Sequence, residues 1–175
     1  ITLKENDEVL AVHFTNGNDD IAIASSNGRM IRFNENEIRI MGRTASGVKG
    51  IELSEDCLCV GAEIAKENQD ILVVTEKGYG KRVGFDEFGK HGRGTGGQKI
   101  FGNIEGKGEI IGAIAVSETD EVICMSGQGK TLRVSAAMIS KQGRASSGTR
   151  IINIDEPDYV VGFDKVANED EKDKE

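Results

Sequence analysis

The chain has 175 residues, a formal net charge of −8, 37% hydrophobic and 5% aromatic residues, and no tryptophan. That length suits one compact domain or a short repeat array, and 23 glycines against one proline point to tight turns rather than a linker. Three cysteines, Cys57, Cys59 and Cys124, exclude an even disulfide framework and lack zinc-ligand spacing; with no apolar run long enough to span a bilayer and no visible leader, the expectation is a soluble, cytoplasmic protein.

Taken in chain order, the elements repeat. An apolar run LAVHF from Leu10 precedes DIAIASSNGRMIRF (20–33), a β-rich hairpin turning at Gly28, and then the loop GRTASGVK from Gly42. VGAEIA from Val60, DILVVTEKGYGKRV (70–83, turning at Gly78) and GRGTGGQK from Gly92 form a second copy. IGAIAV from Ile111, EVICMSGQGKTLRV (121–134, turning at Gly129) and GRASSGTR from Gly143 form a third, and VGFDKV from Val161 begins the pattern again. The turn glycines are 50 and 51 residues apart, and each stands 14 residues before its GR loop. Apolar runs GIEL, IFGNI and IINI follow the loops, and QKIFGNI reads as strand. MIRFNENEIRIMG has irregular apolar spacing and is no helix; SAAMISK (135–141) is the best helical turn. Cys57 and Cys59 read as small buried residues.

About four short β runs per unit, without amphipathic helices, predict an all-β, β-propeller-like repeat array of four-stranded blades, about three of them present. The expected organisation is a partial propeller over residues 1–166, with blades near 10–57, 60–107 and 111–154 and a final strand at 159–166. Unbroken runs such as ILVV and VICM fit sheets buried on both faces. Propellers typically need about four to eight blades to close, so the expectation is an open array or part of a longer one. Residues 167–175, with five acids and two lysines, read as a disordered acidic tail.

Several motifs suggest chemistry and fail on context. Gly92, Gly94 and Gly97 satisfy Gly-x-Gly-x-x-Gly, but a dinucleotide loop needs a helix after it. SGQGKT (126–131) has Cys124 where a P-loop requires glycine. His13, His91, Tyr79 and Tyr159 stand in no catalytic constellation. No enzyme activity and no cofactor is therefore expected of this chain.

The basic loops remain. Residues 42–50 carry Arg43 and Lys49; 89–99 carry Lys90, His91, Arg93 and Lys99; 141–150 carry Lys141, Arg144 and Arg150; none contains an acid. Arg32, Arg82 and Arg133 recur after the hairpin turns, with Lys81 and Lys130 beside two of them. Equivalent loops of a propeller fall on one rim, and glycine lets backbone N–H groups approach a phosphate. The expected partner is a long polyanion such as duplex DNA; solvated turns and a protein-interaction platform are the alternatives.

IMGRTASGVKGIEL (40–53), TEKGYGKRV (75–83) and the acidic end resemble the C-terminal domain of the gyrase A protein of DNA gyrase, over essentially the whole chain. The related topoisomerase IV protein is matched less well by these motifs. The resemblance implies a six-bladed β-pinwheel whose blades exchange strands, with DNA wrapped around its basic rim and handed to the breakage–reunion core. It implies a parent bacterial topoisomerase that supercoils DNA using ATP and Mg2+ bound elsewhere. That parent would be nucleoid-associated, and its other parts would be the gyrase A N-terminal core and the gyrase B protein. The family's signature basic box (Gln-Arg-Arg-Gly-Gly-Lys-Gly), its catalytic tyrosine and its ATPase are absent from this sequence. The chain is thus expected to bind DNA weakly and not to wrap it alone, with the tail competing for the rim.

Overall fold

The computed structural model describes residues 1–167; of the predicted tail only Ala167 falls among them. Eleven strands follow in chain order: β1 (Asp20–Ser25), β2 (Arg29–Asn34), β3 (Cys59–Ile64), β4 (Asp70–Thr75), β5 (Tyr79–Gly84), β6 (Gln98–Lys99), β7 (Ile110–Val116), β8 (Glu121–Ser126), β9 (Thr131–Ser135), β10 (Thr149–Arg150) and β11 (Val160–Lys165). The pairs β1–β2, β4–β5 and β8–β9 are the predicted hairpins. Their turn glycines Gly28, Gly78 and Gly129 have φ of +81°, +78° and +86°, in the left-handed region that a Cβ disfavours.

The hairpins do not build sheets alone. β3 pairs with β1, β7 with β4 and β11 with β8, all antiparallel. The short strands β6 and β10 pair with β2 and β5. The sheet orders are therefore β3-β1-β2-β6, β10-β5-β4-β7 and β11-β8-β9. Each hairpin takes its flanking strands from the following unit, so the sequence repeat is offset from the blade. The third sheet has three strands rather than the expected four, because no later loop among the described residues supplies a partner to β9.

This exchange explains the first departure from expectation. LAVHF forms no strand, and Phe14 is 100% exposed. Its counterparts β3 and β7 pair with the hairpin before them, and none precedes Leu10 among the described residues. The second departure is the run after each loop. Ile100, Phe101 and Ile152 are buried, but IFGNI and IINI are irregular. Ile100 N–H donates to Gly28 O at 2.9 Å and Ile151 N–H to Gly78 O at 2.8 Å. These segments cap a neighbouring hairpin turn instead of joining a ladder. SAAMISK gives only a 3-10 turn, Ala136–Met138, and the other units match it with Glu35–Glu37 and Phe85–Glu87.

β4 shows why its apolar run is unbroken. Ile71 and Val73 enter one core with Met30, Phe101 and Ala113. Leu72 and Val74 point the other way, into a core with Val122, Cys124 and Ile152. Alternating residues of the middle blade thus face two neighbouring blades, and the packed faces fix the stacking that brings successive GR loops together. No helix among the described residues is long and apolar enough to cross a membrane.

Candidate nucleic-acid interface

The three GR loops share one backbone design. Gly47, Gly97 and Gly148 have φ of +82°, +64° and +65°. The second glycine of the motif is thus where the loop reverses. At Gly97 and Gly148 the chain also runs hard against the preceding blade: a Cβ at Gly148 would lie 2.8 Å from Gly80 O and 2.9 Å from the Phe101 ring. Loop 92–99 has a second φ > 0 glycine, Gly94, which has no glycine counterpart in the other two loops.

The loops are capped in series. Thr2 N–H donates to Ala45 O at 3.1 Å, Glu52 N–H to Thr95 O at 2.9 Å and Gly102 N–H to Ser146 O at 2.7 Å. The segment after one loop thus caps the next. Arg93 Nη1 donates to Lys49 O at 3.1 Å, and Lys107 Nζ to Ser147 O at 2.8 Å. A continuous file of basic loops results.

The predicted cations divide into distinct environments. Arg43, Lys49, His91, Lys99 and Arg150 are exposed, and Arg144 is partly so. Arg150 donates to the Tyr79 hydroxyl at 2.7 Å and stacks over its ring at 4.8 Å; that bond holds the Tyr79 phenol below its usual pKa. Lys49 reaches Glu52 at 3.5 Å, His91 contacts the Gln98 amide at 2.9 Å, and Lys130 donates to Asn153 O. Arg93 is half-buried, with Nε donating to Glu37 O at 3.1 Å, so part of its guanidinium joins blades.

A second group is paired with acids at the start of each hairpin. Arg32 Nη2 lies 2.7 Å from Asp20 and Arg82 Nη1 lies 3.0 Å from Asp70, while Arg133 pairs with Glu121. Lys90 and Lys141, each from the next unit, reach Asp20 at 2.9 Å and Asp70 at 2.8 Å. The Asp70 bond raises the Lys141 pKa. Burial pushes the Asp20 carboxyl up, but bonds from Lys90, Asn34 and Arg32 outweigh it and hold the group below its ordinary value.

Two assignments are corrected. Lys81 and Arg82 are buried and present no charge to a ligand. Lys81 Nζ donates to Gly143 O, Arg144 O and Ser146 O at 2.7, 2.9 and 2.9 Å, and to Ser146 Oγ at 3.0 Å. No carboxylate contacts it among the described residues, and burial pulls its pKa down to about 8. Arg82 donates Nε to Ile139 O at 2.9 Å. Both tie one blade to the next, and Lys81 fixes the shape of loop 143–150.

Three contributors lay outside the sequence expectation. Arg29 clamps loop 92–99, donating Nε to Gly96 O and Nη2 to Gly97 O, both at 2.6 Å. Its position directly after the turn glycine Gly28 was the available signal. Glu37 and Glu87 accept the N–H of Arg93 and Arg144 at 3.0 and 2.9 Å. Loops 89–99 and 141–150 lack acids in their own sequence, yet the preceding blade supplies a carboxylate to each.

Strand-exchanged blades with one glycine-hinged basic loop per unit define a propeller-type repeat domain with a cationic edge. A family model described as "DNA gyrase C-terminal domain, beta-propeller" matches residues 19–66, 69–117 and 120–167, and the chain belongs to that family. Each match starts with a hairpin and ends with the strand borrowed from the next unit. The chain is 39% identical over 98% of its length to the gyrase A protein of Staphylococcus epidermidis DNA gyrase, covering 19% of that protein. With its Salmonella typhimurium counterpart it shares 36% identity over 95% of its length, again covering 19% of the relative. The chain thus spans about a fifth of the length of these relatives. A solved DNA gyrase A C-terminal domain superposes with a TM-score of 0.85 at 32% identity, over 95% of this chain and 57% of that one. The C-terminal domain of DNA topoisomerase IV gives 0.85 at 25%, over 94% and 52%.

Proposed function

We propose that this chain binds duplex DNA without sequence specificity and, not wrapping it alone, contributes part of the wrapping surface of a gyrase-type topoisomerase. The observation that carries this reading is the file of GR loops, joined N–H to carbonyl, with Arg43, Lys49, Lys99, Arg144 and Arg150 outward. A regular row of cations suits a regular row of phosphates, and phosphate contacts carry no base information. Bending duplex DNA costs about several kcal/mol, so contacts must sum over several blades. On this reading the chain performs no chemistry. The DNA-breaking gyrase A core and the ATP-using gyrase B protein, with Mg2+, act elsewhere in a nucleoid-associated parent enzyme, and the acidic tail competes with DNA for the rim.

The test is a mobility shift with random-sequence duplex at two salt concentrations. Binding that weakens steeply with salt, and is lost with Arg43→Glu, Lys99→Glu and Arg150→Glu combined, supports the reading. Salt-insensitive binding, or full binding by the triple variant, rejects it.

A further inference from the structure

The carboxylates that meet the GR loops do so at equivalent atoms in two repeats. Glu37 ends the 3-10 turn Glu35–Glu37, and Glu87 ends Phe85–Glu87. Glu37 Oε2 accepts the backbone N–H of Arg93 at 3.0 Å; Glu87 Oε2 accepts that of Arg144 at 2.9 Å. The same oxygens lie beside the bare Cα of the motif's first glycine: a Cβ on Gly92 would be 3.9 Å from Glu37 Oε2, and one on Gly143 would be 3.7 Å from Glu87 Oε2. Both glutamates are exposed. An anionic oxygen of an exposed side chain therefore already sits on the Gly–Arg amide of loops 89–99 and 141–150.

An oxygen anion bound by a backbone N–H next to a glycine and an arginine has the chemistry of a phosphate site. We infer that the Gly92–Arg93 and Gly143–Arg144 amides are phosphate-binding sites and that Glu37 and Glu87 are the internal anions holding them. An incoming phosphate displaces the carboxylate, which swings into water at little cost because it is exposed. The displaced glutamate leaves a negative charge beside the path of the polyanion, so each one lowers affinity at its loop. The pairing is register-specific. The position equivalent to Glu37 and Glu87 in the third unit is Met138, which is 79% exposed and offers no oxygen.

Rival origins of the contact differ in their consequences. If the glutamates only brace the loops, removing them loosens the loops and creates no anion site. If they compete with phosphate, removing them creates one. This inference rests on the DNA-binding reading for its biological ligand, but not for its test. The decisive measurement is a backbone amide NMR titration of this chain with inorganic phosphate, comparing wild type with Glu37→Ala/Glu87→Ala. The expected result is saturable shifts of the Arg93 and Arg144 amides in the variant and none in the wild type at the same phosphate concentrations. Glu37→Gln/Glu87→Gln keeps an acceptor and removes the charge; its amides should shift at phosphate concentrations above those needed by the alanine variant. It also carries the test if the alanine variant fails to fold. Unshifted Arg93 and Arg144 amides in the folded variants overturn the proposal. In a parallel arm with short random-sequence duplex at low salt, the alanine variant should bind several-fold more tightly than wild type, because no displaced carboxylate is left beside the polyanion; unchanged affinity overturns the competition. Duplex that binds neither protein, with phosphate shifts intact, would reject the DNA reading and leave the anion sites standing.

Discussion

Arg82 and Asp70 form an ion pair at 3.0 Å in which both side chains are withdrawn from solvent. In the third unit Arg133 and Glu121 make the same pairing, with the Arg133 side chain 60% exposed. One repeated sequence feature therefore has two physical weights. Removing one partner of a buried pair costs about 3–5 kcal/mol when the other is left uncompensated, whereas an exposed pair is worth about 0–1 kcal/mol; in Arg82→Ala, Lys141 at 2.8 Å still faces Asp70, so the loss should fall toward the lower end of the buried range. Arg82→Ala should lower the urea midpoint sharply, and Arg133→Ala should leave it nearly unchanged. Equal effects in equilibrium unfolding would contradict this difference.

Lys81 predicts an alkaline signature. Its folded pKa is about 8 against an ordinary 10.5. Below pH 8 both folded and unfolded chains carry the proton. Between the two values the unfolded chain binds more protons, so stability attributable to this group rises with pH. The rise is on the order of 2 kcal/mol. Lys81→Met should abolish it, which unfolding curves at pH 7.5 and pH 10 for both proteins would check. The same variant should loosen loop 143–150, where three carbonyls each lose one donor.

The outward cations should affect binding without affecting the fold. Arg43→Ala and Arg150→Ala, measured by fluorescence anisotropy with duplex DNA, should each reduce the log–log salt slope by roughly one. Thermal midpoints should stay close to wild type. Arg32→Ala should do the reverse, because its guanidinium is committed to Asp20 and to Phe85 O at 2.7 Å.

The glycines of the GR motif should differ in cost. Gly148 has φ of +65° and no room for a Cβ against Gly80 O at 2.8 Å. Gly148→Ala should destabilise by about 1–3 kcal/mol. Gly143 has no φ in that region, and its nearest neighbour to a Cβ is Glu87 Oε2 at 3.7 Å. Gly143→Ala should cost well under 1 kcal/mol in the same denaturation assay.

Hairpins were legible because turn chemistry is local: a glycine at φ > 0 between two β-rich runs leaves one good solution. The matched spacings of Gly28, Gly78 and Gly129 exposed the repeat, and IMGRTASGVKGIEL with GYGKR exposed the family. The buried-on-both-faces reading of ILVV also needed nothing beyond the sequence.

Which cations remain available was decided only by the fold. Loops without an acid in their own windows receive Asp20, Asp70, Glu37 and Glu87 from the preceding unit, at least 56 residues away in sequence. Charge pairing acts through space, and strand exchange places each loop on a blade that is not its own. LAVHF shows the same dependence from the other side: its β propensity is satisfied only by a preceding hairpin. The sequence by itself determined the repeat, the turns and the basic motifs, because these follow from local backbone preference and spacing. The tertiary structure determined that Lys81 and Arg82 fasten blades together while Arg43, Lys99 and Arg150 face solvent, because burial and ion pairing depend on what the neighbouring blade brings.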